Sequence, residues 1–366
     1  MRSKLSKSDV RLFGAAALFT AASAVTHYVH AGRVVPFVVS AAALGVLATV
    51  VGRSIDRLGD RLGSGMTGVV QSALGNLPEL FFGIFALRAG LVGVVQAALI
   101  GSILANVLLV LGLAFIVGGL RHGTQRFPTE SARHVVVLLV LAVSVLMVPS
   151  LSAHLGIAVT RHEGALSNVA AVVLLVVFAL SLPASIRREP DDPATAASSA
   201  DASSSDEPAG TVASWSISLV IVALGVSSIG AAFVSDWFVN ALTPALSALH
   251  MSQAFAGFVV VAIAGNAVEN VVGIQLAARN RADYALSLIL QSPVQIALLL
   301  IPALVLLSGV LGGAHLTLVL SPLLAVVLGL TTFIAAIVVL DGESTWLEGV
   351  CLVSLYVVIA TSFWWG

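Results

Sequence analysis

Two carboxylates stand inside long apolar stretches of this chain, and each follows an asparagine at the same spacing. The stretches read Gly75-Asn76-Leu77-Pro78-Glu79 and Gly265-Asn266-Ala267-Val268-Glu269. Residues three apart share a helix face, so each asparagine is expected beside its glutamate. An acid at the centre of a membrane helix costs about 2.5–3.5 kcal/mol even on lenient scales, which makes both glutamates candidate functional residues.

The polar side chains near the two glutamates offer oxygen, and neither His nor Cys accompanies them. Ser102 and Asn106 are four residues apart and share a helix face, and Gln291, Ser292 and Gln295 give the second half a matching polar group. No Lys or Arg lies near the middle of the apolar stretches to neutralise the acids. An all-oxygen site with two carboxylates suits a hard divalent cation, Ca²⁺ first, with Mn²⁺ and Mg²⁺ as competitors.

The same two carboxylates can also bind protons. Burial favours the neutral form of a carboxyl group, and a second negative charge nearby favours it further. A divalent cation removes both penalties, so protons and metal compete for one site. We therefore expect Glu79 and Glu269 to bind either the cation or protons, which makes exchange of Ca²⁺ for H⁺ by alternating access the expected activity.

Glycine and proline residues near the motifs indicate broken helices and close backbone approach. Proline frees the backbone carbonyl one turn earlier, and such a carbonyl can serve as a ligand where the backbone lines a cavity. The residues expected to act in this way are Gly75, Pro78, Gly101, Gly265 and Pro293.

The composition is that of a multi-pass α-helical membrane protein. Of the 366 residues, 58% are hydrophobic and 10% are charged, whereas a soluble domain carries roughly 25% charged residues. The net charge of -1 gives no indication of nucleic-acid binding. Apolar runs of about twenty residues predict transmembrane helices. Eleven are predicted, at 9–30, 34–52, 64–89, 92–119, 134–151, 164–184, 213–236, 253–278, 285–309, 316–340 and 345–364.

The distribution of positive charge predicts the orientation of these helices. With the N-terminus in the cytoplasm, 14 of the 17 Lys and Arg residues fall in cytoplasmic segments, and only Arg33, Arg88 and Arg161 fall outside. An odd number of spans then places the C-terminus outside the cell. The expected location is the cell membrane, of the bacterial inner-membrane type.

An internal repeat connects the two motifs. The shift along the chain that places Gly75 on Gly265 also places Gly83 on Gly273 and Ser102 on Ser292, without a gap. The first motif lies in a span predicted to run from inside to outside, and the second in a span of opposite direction. Oppositely oriented repeats are typical of secondary transporters, whose substrate site lies near mid-membrane.

The repeat and the polar stretch between its halves give the expected domain organisation. The segment from Arg187 to Gly210 is rich in Pro, Ser, Ala and acidic residues, which is typical of a flexible linker. We predict an N-terminal transmembrane helix over 1–33, a first inverted repeat over 34–186, an acidic cytoplasmic linker over 187–212 and a second inverted repeat over 213–366.

These motifs resemble the Ca²⁺/cation antiporter superfamily, and within it the CAX-type Ca²⁺/H⁺ exchangers. That family carries a G-N-x-x-E motif in each inverted repeat and a G-S-type motif in the following helix, which here read "GNLPEL" with "GSILAN" and "GNAVEN" with "QSPVQIAL". The chain departs from the family pattern at three positions. Asn270 stands where His is common, Gln291 where Gly is common, and Ala105 where a second Ser is often found.

The resemblance implies a fold and a set of site residues. The fold would be eleven helices, with one standing outside a five-plus-five inverted repeat. Sodium-coupled relatives usually carry other residues around the first acid, so the first motif favours proton coupling. Cation binding by the two glutamates is implied, with nearby oxygen donors. The site residues expected from the motifs and the resemblance are Glu79, Glu269, Asn76, Asn266, Ser102, Ser292, Asn106 and Gln295.

Other functions remain open at the level of sequence. A Na⁺ or K⁺/H⁺ antiporter could use the same acids, and a cation channel would also fit buried carboxylates. A membrane enzyme acting on lipid-linked phosphates is less well supported, because such a site normally needs Arg, Lys or His facing the phosphate. We expect no enzymatic activity and no cofactor. The expected partners are Ca²⁺ and H⁺ as substrates and the lipid bilayer, without nucleic acid.

Overall fold

A computed structural model describes residues 5–29, 31–62, 71, 74–127, 129–155, 162–187 and 215–364. Nearly all of these residues are helical. The strands found in this part of the chain are β1 (Gln125–Arg126) and β2 (Glu343–Ser344), which pair in antiparallel fashion. The predicted acidic linker at 187–212 lies outside the described residues apart from Arg187, the last residue of a helix.

Within the described residues the helices follow one another along the chain, and three π-helical segments lie among them. In the first half they are α1 (Lys7–Tyr28), α2 (Val35–Leu62), α3 (Leu77–Arg88), α4 (Val92–Leu104), π1 (Ala105–Val110), α5 (Leu111–His122), α6 (Thr129–His154) and α7 (Glu163–Arg187). In the second half they are α8 (Ile217–Leu249), α9 (Gln253–Phe255), π2 (Ala256–Val261), α10 (Ala262–Gly265), α11 (Ala267–Ala278), α12 (Ala282–Gln295), π3 (Ile296–Leu300), α13 (Ile301–Ser308), α14 (Pro322–Leu340) and α15 (Trp346–Trp364).

These helices are long and apolar enough for a membrane protein. Within the described residues nine helical stretches could each cross a bilayer, and the pair Gln253–Gly265 and Asn270–Ala278, bent by 63°, adds a tenth candidate. Residues 63–70, 72 and 73 of the predicted third span lie outside the described part. The all-α polytopic class is confirmed, and the number of eleven spans stays a prediction.

The repeat found in the sequence has a counterpart in the helix boundaries. The shift that carries Gly75 to Gly265 also carries both bounds of α3 to those of α11, and the first residue of α4 to the first residue of α12. The turns between these helices also correspond, because Gly90 and Asn280 both have positive φ, 78° and 61°. The segments π1 and π3 end at Val110 and Leu300, which the same shift brings together.

The chain divides into two compact units that do not follow the predicted halves. The smaller unit contains the described residues of Met1–Phe81 and Ala179–Leu242, and the larger contains those of Phe82–Phe178 and Thr243–Gly366. Each unit therefore draws on both halves of the sequence. The predicted division into an N-terminal helix, two repeats and a linker stays a prediction.

In the smaller unit, Asp9 joins three segments that are distant in sequence. Its side chain is 1% exposed. One carboxylate oxygen lies 3.0 Å from Nη1 of Arg53 on α2, and the other accepts a hydrogen bond of 3.0 Å from Nε1 of Trp215. Ser6 caps α1 by accepting from the backbone N–H of Asp9, while Asp9 accepts from the backbone N–H of Ser6. Trp215 also packs on Phe13 with ring centroids 5.2 Å apart.

Replacing Asp9 by alanine is expected to destabilise the smaller unit. The buried indole N–H of Trp215 would lose its acceptor, and an unsatisfied buried donor costs about 1–3 kcal/mol. The midpoint of thermal unfolding of the purified protein in detergent should fall by several degrees. Ser8→Ala is the matched control, because the exposed Ser8 hydroxyl also contacts Arg53, at 3.2 Å. Equal midpoints for both variants would show that Asp9 does not hold this unit together.

The predicted tenth span, 316–340, is only partly helical. Ser321 caps α14 and Pro322 is its first residue, so the helix begins six residues later than predicted. The preceding segment, Leu316 to Leu320, is not helical, and polar side chains from helices bind its backbone. Backbone N–H groups of this segment donate to the hydroxyls of Ser308, Ser167 and Ser150, and the Gln96 amide donates to the carbonyls of Thr317 and Val319.

A second difference concerns the seventh span, predicted at 213–236. The helix α8 runs from Ile217 to Leu249, so Asp236 lies in its interior and not at its end. Its carboxylate accepts a hydrogen bond of 3.3 Å from the amide of Asn240, one turn later. Asp236, which lies at the end of the predicted span, is therefore an acid in the interior of a helix long and apolar enough to cross a bilayer.

Candidate functional site

Both motif helices begin directly after the asparagine of their G-N-x-x-E motif. In the first motif, Gly75 and Asn76 form a turn and α3 begins at Leu77. In the second motif, Asn266 lies between the end of α10 and the start of α11 and interrupts the helix. Asn266 has φ −102° and ψ 17°, outside the helical region. Because the second motif has no proline, the Gly-Asn pair and not Pro78 is the common feature of the two breaks.

The first turn of each motif helix is built in the same way. The backbone N–H of Leu80 donates to the carbonyl of Asn76 at 2.9 Å, and that of Asn270 donates to the carbonyl of Asn266 at 3.1 Å. Both acids thus lie in the first turn of a helix, close to its N-terminal end. That end of a helix carries a partial positive charge.

In the smaller unit, the side chains of Asn76 and Glu79 are both buried, each 7% exposed. Gly75 is packed against the preceding turn, because a Cβ there would lie 2.6 Å from the carbonyl oxygen of Gln71. Pro78 is buried as the second residue of α3, where its missing N–H costs no helical hydrogen bond.

In the larger unit, α4 and π2 are in direct backbone contact at two glycines. A Cβ on Gly101 would lie 2.6 Å from Cα of Phe258, and a Cβ on Gly257 would lie 2.5 Å from the carbonyl oxygen of Val94. This approach sets Ser102, which follows Gly101, beside the segment that leads through α10 to Asn266. The predicted close approach at Gly101 has a concrete partner in π2.

Asn106 is positioned so that its amide oxygen is available. The residue lies in π1 and is 1% exposed, and its Nδ2 donates to the carbonyl of Ser102 at 2.9 Å. No donor for its Oδ1 is found in the described part of the chain. Ser102 itself is 3% exposed. An amide whose NH₂ group is already bonded presents its oxygen, the atom that a hard cation binds.

The second motif shows the same arrangement with one further partner. Asn266 is 3% exposed, and its Nδ2 donates to the carbonyl of Ala262 at 3.2 Å. Its Oδ1 accepts from the hydroxyl of Ser292 on α12 at 3.0 Å. Ser292 and Gln295 are also buried, at 3% and 5%. The structure thus brings Asn266 and Ser292 into contact, as the motif pairing predicts.

The remaining site residues of the second half are placed as follows. Glu269 lies in the first turn of α11, and its side chain is outside the part of the chain that the structure describes. Gly265 is the last residue of α10. Pro293 lies inside α12, three residues before π3 begins.

Two of the π-helical segments, π1 and π3, begin a few residues after Ser102 and Ser292 of the serine motifs. A π-helical turn inserts an extra residue into the i to i−4 hydrogen-bond pattern, and such turns often occur at functional sites. At the start of π1 the N–H of Ala105 lies within reach of two carbonyls, those of Gly101 and Ser102. At the start of π3 the N–H of Ile296 likewise reaches those of Ser292 and Pro293. The two repeats therefore share a local helix distortion as well as a residue pattern.

The structure describes the surroundings of two residues that depart from the family pattern, Gln291 and Asn270. Gln291 corresponds to Gly101 but is exposed, so no tight contact excludes its side chain, and it does not join the buried group of Ser292 and Gln295 as expected. Asn270 is partly buried, and no donor for its Oδ1 is found among the described residues. It adds another amide oxygen next to Glu269 in sequence.

The buried polar groups of the larger unit are suited to binding a hard cation. They are amide and hydroxyl oxygens held by helices that contact each other through glycine. Within the described residues no group of three or more His, Cys, Asp or Glu side chains is arranged to hold a metal.

Sequence reasoning missed several polar residues that the fold uses. These are Gln96, Ser150, Ser167 and Ser308, which lie in apolar helices and bind the non-helical segment before α14. Each could have been noticed as an isolated hydrogen-bonding side chain within an apolar run. Their common partner could not have been identified, because it is backbone from a distant part of the chain.

Comparison with known proteins places this chain in a family. The family model described as "Sodium/calcium exchanger protein" matches residues 33–187 and 219–365. A Ca²⁺/H⁺ antiporter of Aphanothece halophytica is 31% identical over 352 residues, covering 94% of each chain. The Ca²⁺/H⁺ antiporter ChaA of Bacillus subtilis is 32% identical over 348 residues, covering 93% of this chain and 95% of its own.

A solved structure has the same fold over nearly the whole chain. The selenium-substituted Ca²⁺/H⁺ antiporter protein YfkE superposes with a TM-score of 0.80 and 27% identity, covering 96% of this chain and 98% of its own. The chain belongs to the sodium/calcium exchanger protein family of multi-pass membrane transporters.

Proposed function

We propose that this protein is a secondary active transporter that exchanges Ca²⁺ for H⁺. The observation that carries the proposal is the orientation of two buried asparagine amides in the larger unit. Asn106 and Asn266 each bond their NH₂ group to a carbonyl four residues earlier, so the oxygen of each points away from its own helix backbone. Oxygen donors of this kind suit Ca²⁺ and would give it no soft ligand. The names of the similar antiporters support the same substrates.

The charge in the proposed exchange resides on Glu79 and Glu269. Neutral amide and hydroxyl oxygens bind a cation but cannot release a proton at ordinary pH, whereas carboxylates can do both. Bound Ca²⁺ would therefore displace protons from the two glutamates, and protons would displace Ca²⁺. We infer that Asn76, Ser102 and Ser292 complete the donor set together with Asn106, Asn266 and Gln295.

The proposed location is the cell membrane, with the N-terminus in the cytoplasm and the C-terminus outside. The positive charges of the predicted loops support this orientation. Expulsion of Ca²⁺ at the expense of an inward proton gradient is the direction that we expect. Family membership excludes the lipid-phosphate enzyme, because members of this family are transporters.

The proposal is tested with the purified protein in sealed proteoliposomes that contain a pH-sensitive dye. An inward Ca²⁺ gradient is expected to drive proton efflux that stops when Ca²⁺ is omitted. Na⁺ and K⁺ gradients of equal size are the matched comparisons. Proton movement driven by Na⁺ or K⁺ but not by Ca²⁺ would assign the protein to the alternative antiporter class. Dissipation of the Ca²⁺ gradient without proton movement would indicate a channel and overturn the proposal.

A further inference from the structure

Each motif helix is held at its C-terminal end by a loop from the opposite half of the sequence. Glu79 and Leu87 lie at the two ends of α3, and Glu269 and Ala277 lie at the two ends of α11. In each helix the two residues are eight positions apart, or about 12 Å along the axis. In α11, which lies wholly in the larger unit, a contact at the C-terminal end can therefore influence where the backbone of Glu269 lies.

The contact on α11 is made by the side chain of Gln125, and we call it the Gln125 contact. Gln125 belongs to β1, which follows α5, and is 3% exposed. Its Nε2 donates to the carbonyl of Ala277 at 3.1 Å and to Oδ1 of Asn280 at 3.0 Å. Nε2 of His122 also lies 3.0 Å from the carbonyl oxygen of Ala278. The orphan carbonyls at the end of α11 are thus bound by the segment after α5.

The contact on α3 is made by backbone, and we call it the Ala314 contact. The N–H of Ala314, which lies in the loop after α13, donates to the carbonyl of Leu87 at 3.1 Å. Gly313 has φ +114°, and a Cβ there would lie 2.9 Å from Cα of Arg88. Only glycine allows the loop to approach the end of α3 this closely.

The two contacts correspond under the internal repeat. The shift that carries α3 to α11 also carries Leu87 to Ala277. The two contacting segments correspond as well, because β1 follows α5, which continues π1, and the loop with Ala314 follows α13, which continues π3. Within the larger unit a cavity lined by Gln125, Ala277 and Ala282 adjoins the Gln125 contact. Thr317, three residues after Ala314, lines a second cavity together with Gln96. The predicted topology places the two contacts on opposite sides of the membrane.

We propose that Gln125 is a positioning residue that keeps the transporter closed on the side of the membrane where Gln125 lies. The Ala314 contact does the same on the opposite side. Opening at one end would break that contact while the other contact is kept. Weakening one contact would therefore shift the population toward the state open at that end, and away from the state open at the other. The inference rests on the proposed function, because it assumes alternating access.

The experiment measures how fast cysteines beside the two contacts react with N-ethylmaleimide in purified protein. The natural Cys351, which is exposed, is first replaced by serine. Ala282→Cys reports on the end with Gln125, and Thr317→Cys reports on the end with Ala314. Gln125→Leu removes the donor while keeping a side chain of similar size. Arg126→Gln, on the exposed face of the same strand, is the matched control.

Gln125→Leu is expected to speed the labelling of Ala282→Cys roughly five- to thirtyfold, the factor that corresponds to losing about one or two kcal/mol of hydrogen bonding. The same variant is expected to slow the labelling of Thr317→Cys. Asn280→Gly tests the same contact if Gln125→Leu does not fold, because glycine keeps the positive φ of 61° and removes only the side-chain acceptor. Gly313→Ala should have the reverse effect on the two reporters. Arg126→Gln should change neither.

Faster labelling at both ends would mean a loosened fold and would overturn the inference, as would unchanged labelling at both. An effect of Arg126→Gln equal to that of Gln125→Leu would also overturn it. Labelling requires neither Ca²⁺ nor a proton gradient, so it is independent of the transport assay. Reciprocal labelling without Ca²⁺/H⁺ exchange would refute only the ion assignment, whereas exchange without reciprocal labelling would refute only the role of the two contacts.

Discussion

Replacing either Glu79 or Glu269 by glutamine is expected to reduce Ca²⁺ uptake into everted vesicles to the level of vesicles without the protein. Glutamine has nearly the shape of glutamate but carries no negative charge and cannot release a proton. The neutral amide and hydroxyl oxygens nearby would remain, so any Ca²⁺ that still bound could not be exchanged for protons. Uptake is measured under an imposed proton gradient and normalised to the amount of folded protein.

The control for this pair is Glu343→Gln. Glu343 lies on β2 and pairs with Arg126 at 3.0 Å, and both side chains are exposed, so the ion pair contributes little. This variant should transport Ca²⁺ like the unaltered protein. Normal uptake in Glu79→Gln or in Glu269→Gln would refute the assignment of the exchange to these carboxylates, whatever the control shows.

Adding one methyl group at Gly101 or at Gly257 is expected to destabilise the larger unit strongly. In Gly101→Ala the new Cβ would lie 2.5 Å from the carbonyl oxygen of Phe258, and in Gly257→Ala it would lie 2.5 Å from that of Val94. Both contacts are with backbone, which cannot move aside as a side-chain end can. Overpacking of this kind costs about 1–3 kcal/mol. The midpoint of thermal unfolding in detergent should fall, and Ca²⁺ uptake should fall with it because Ser102 is displaced.

The same substitution at Gly93 provides the matched control. Gly93 lies on α4 as Gly101 does, but a Cβ there would meet nothing within 4 Å. Alanine in a helix is more stable than glycine by about 0.5–1 kcal/mol, so Gly93→Ala should raise the midpoint slightly. If all three variants unfolded at the same temperature, the close contact of α4 with π2 would not be a source of stability.

Much of the architecture could be predicted from the sequence, and the repeat shows why. Composition and the length of apolar runs identify a membrane protein without any knowledge of packing, because each helix must satisfy its own backbone in lipid. The shift found by comparing Gly75–Glu79 with Gly265–Glu269 reappears unchanged in the bounds of α3 and α11. A helix break at a Gly-Asn pair depends on the residues at the break itself, so it can be recognised from the local sequence.

The candidate site could be predicted in its residue types but not in its geometry. Asn266 and Ser292 were expected near each other from their motifs, yet the direction of each asparagine amide depends on a carbonyl one turn earlier. The exposure of Gln291, one residue from buried Ser292, likewise depends on which neighbour lies against that face of α12. Residue spacing gives a helix face but not what packs on it.

The sequence by itself determined the membrane class, the internal repeat and the paired Gly-Asn-x-x-Glu motifs, whereas the structure placed the motif acids in the first turn of their helices. Only the tertiary structure decided which polar groups bind across the fold. Asp9 with Trp215, Gln125 with Ala277 and Gln96 with Thr317 join residues from distant parts of the chain. Periodicity and composition describe only residues that are within a few helical turns of each other in the sequence. A buried hydrogen bond is instead selected by whichever distant donor or acceptor folding brings within about 3 Å.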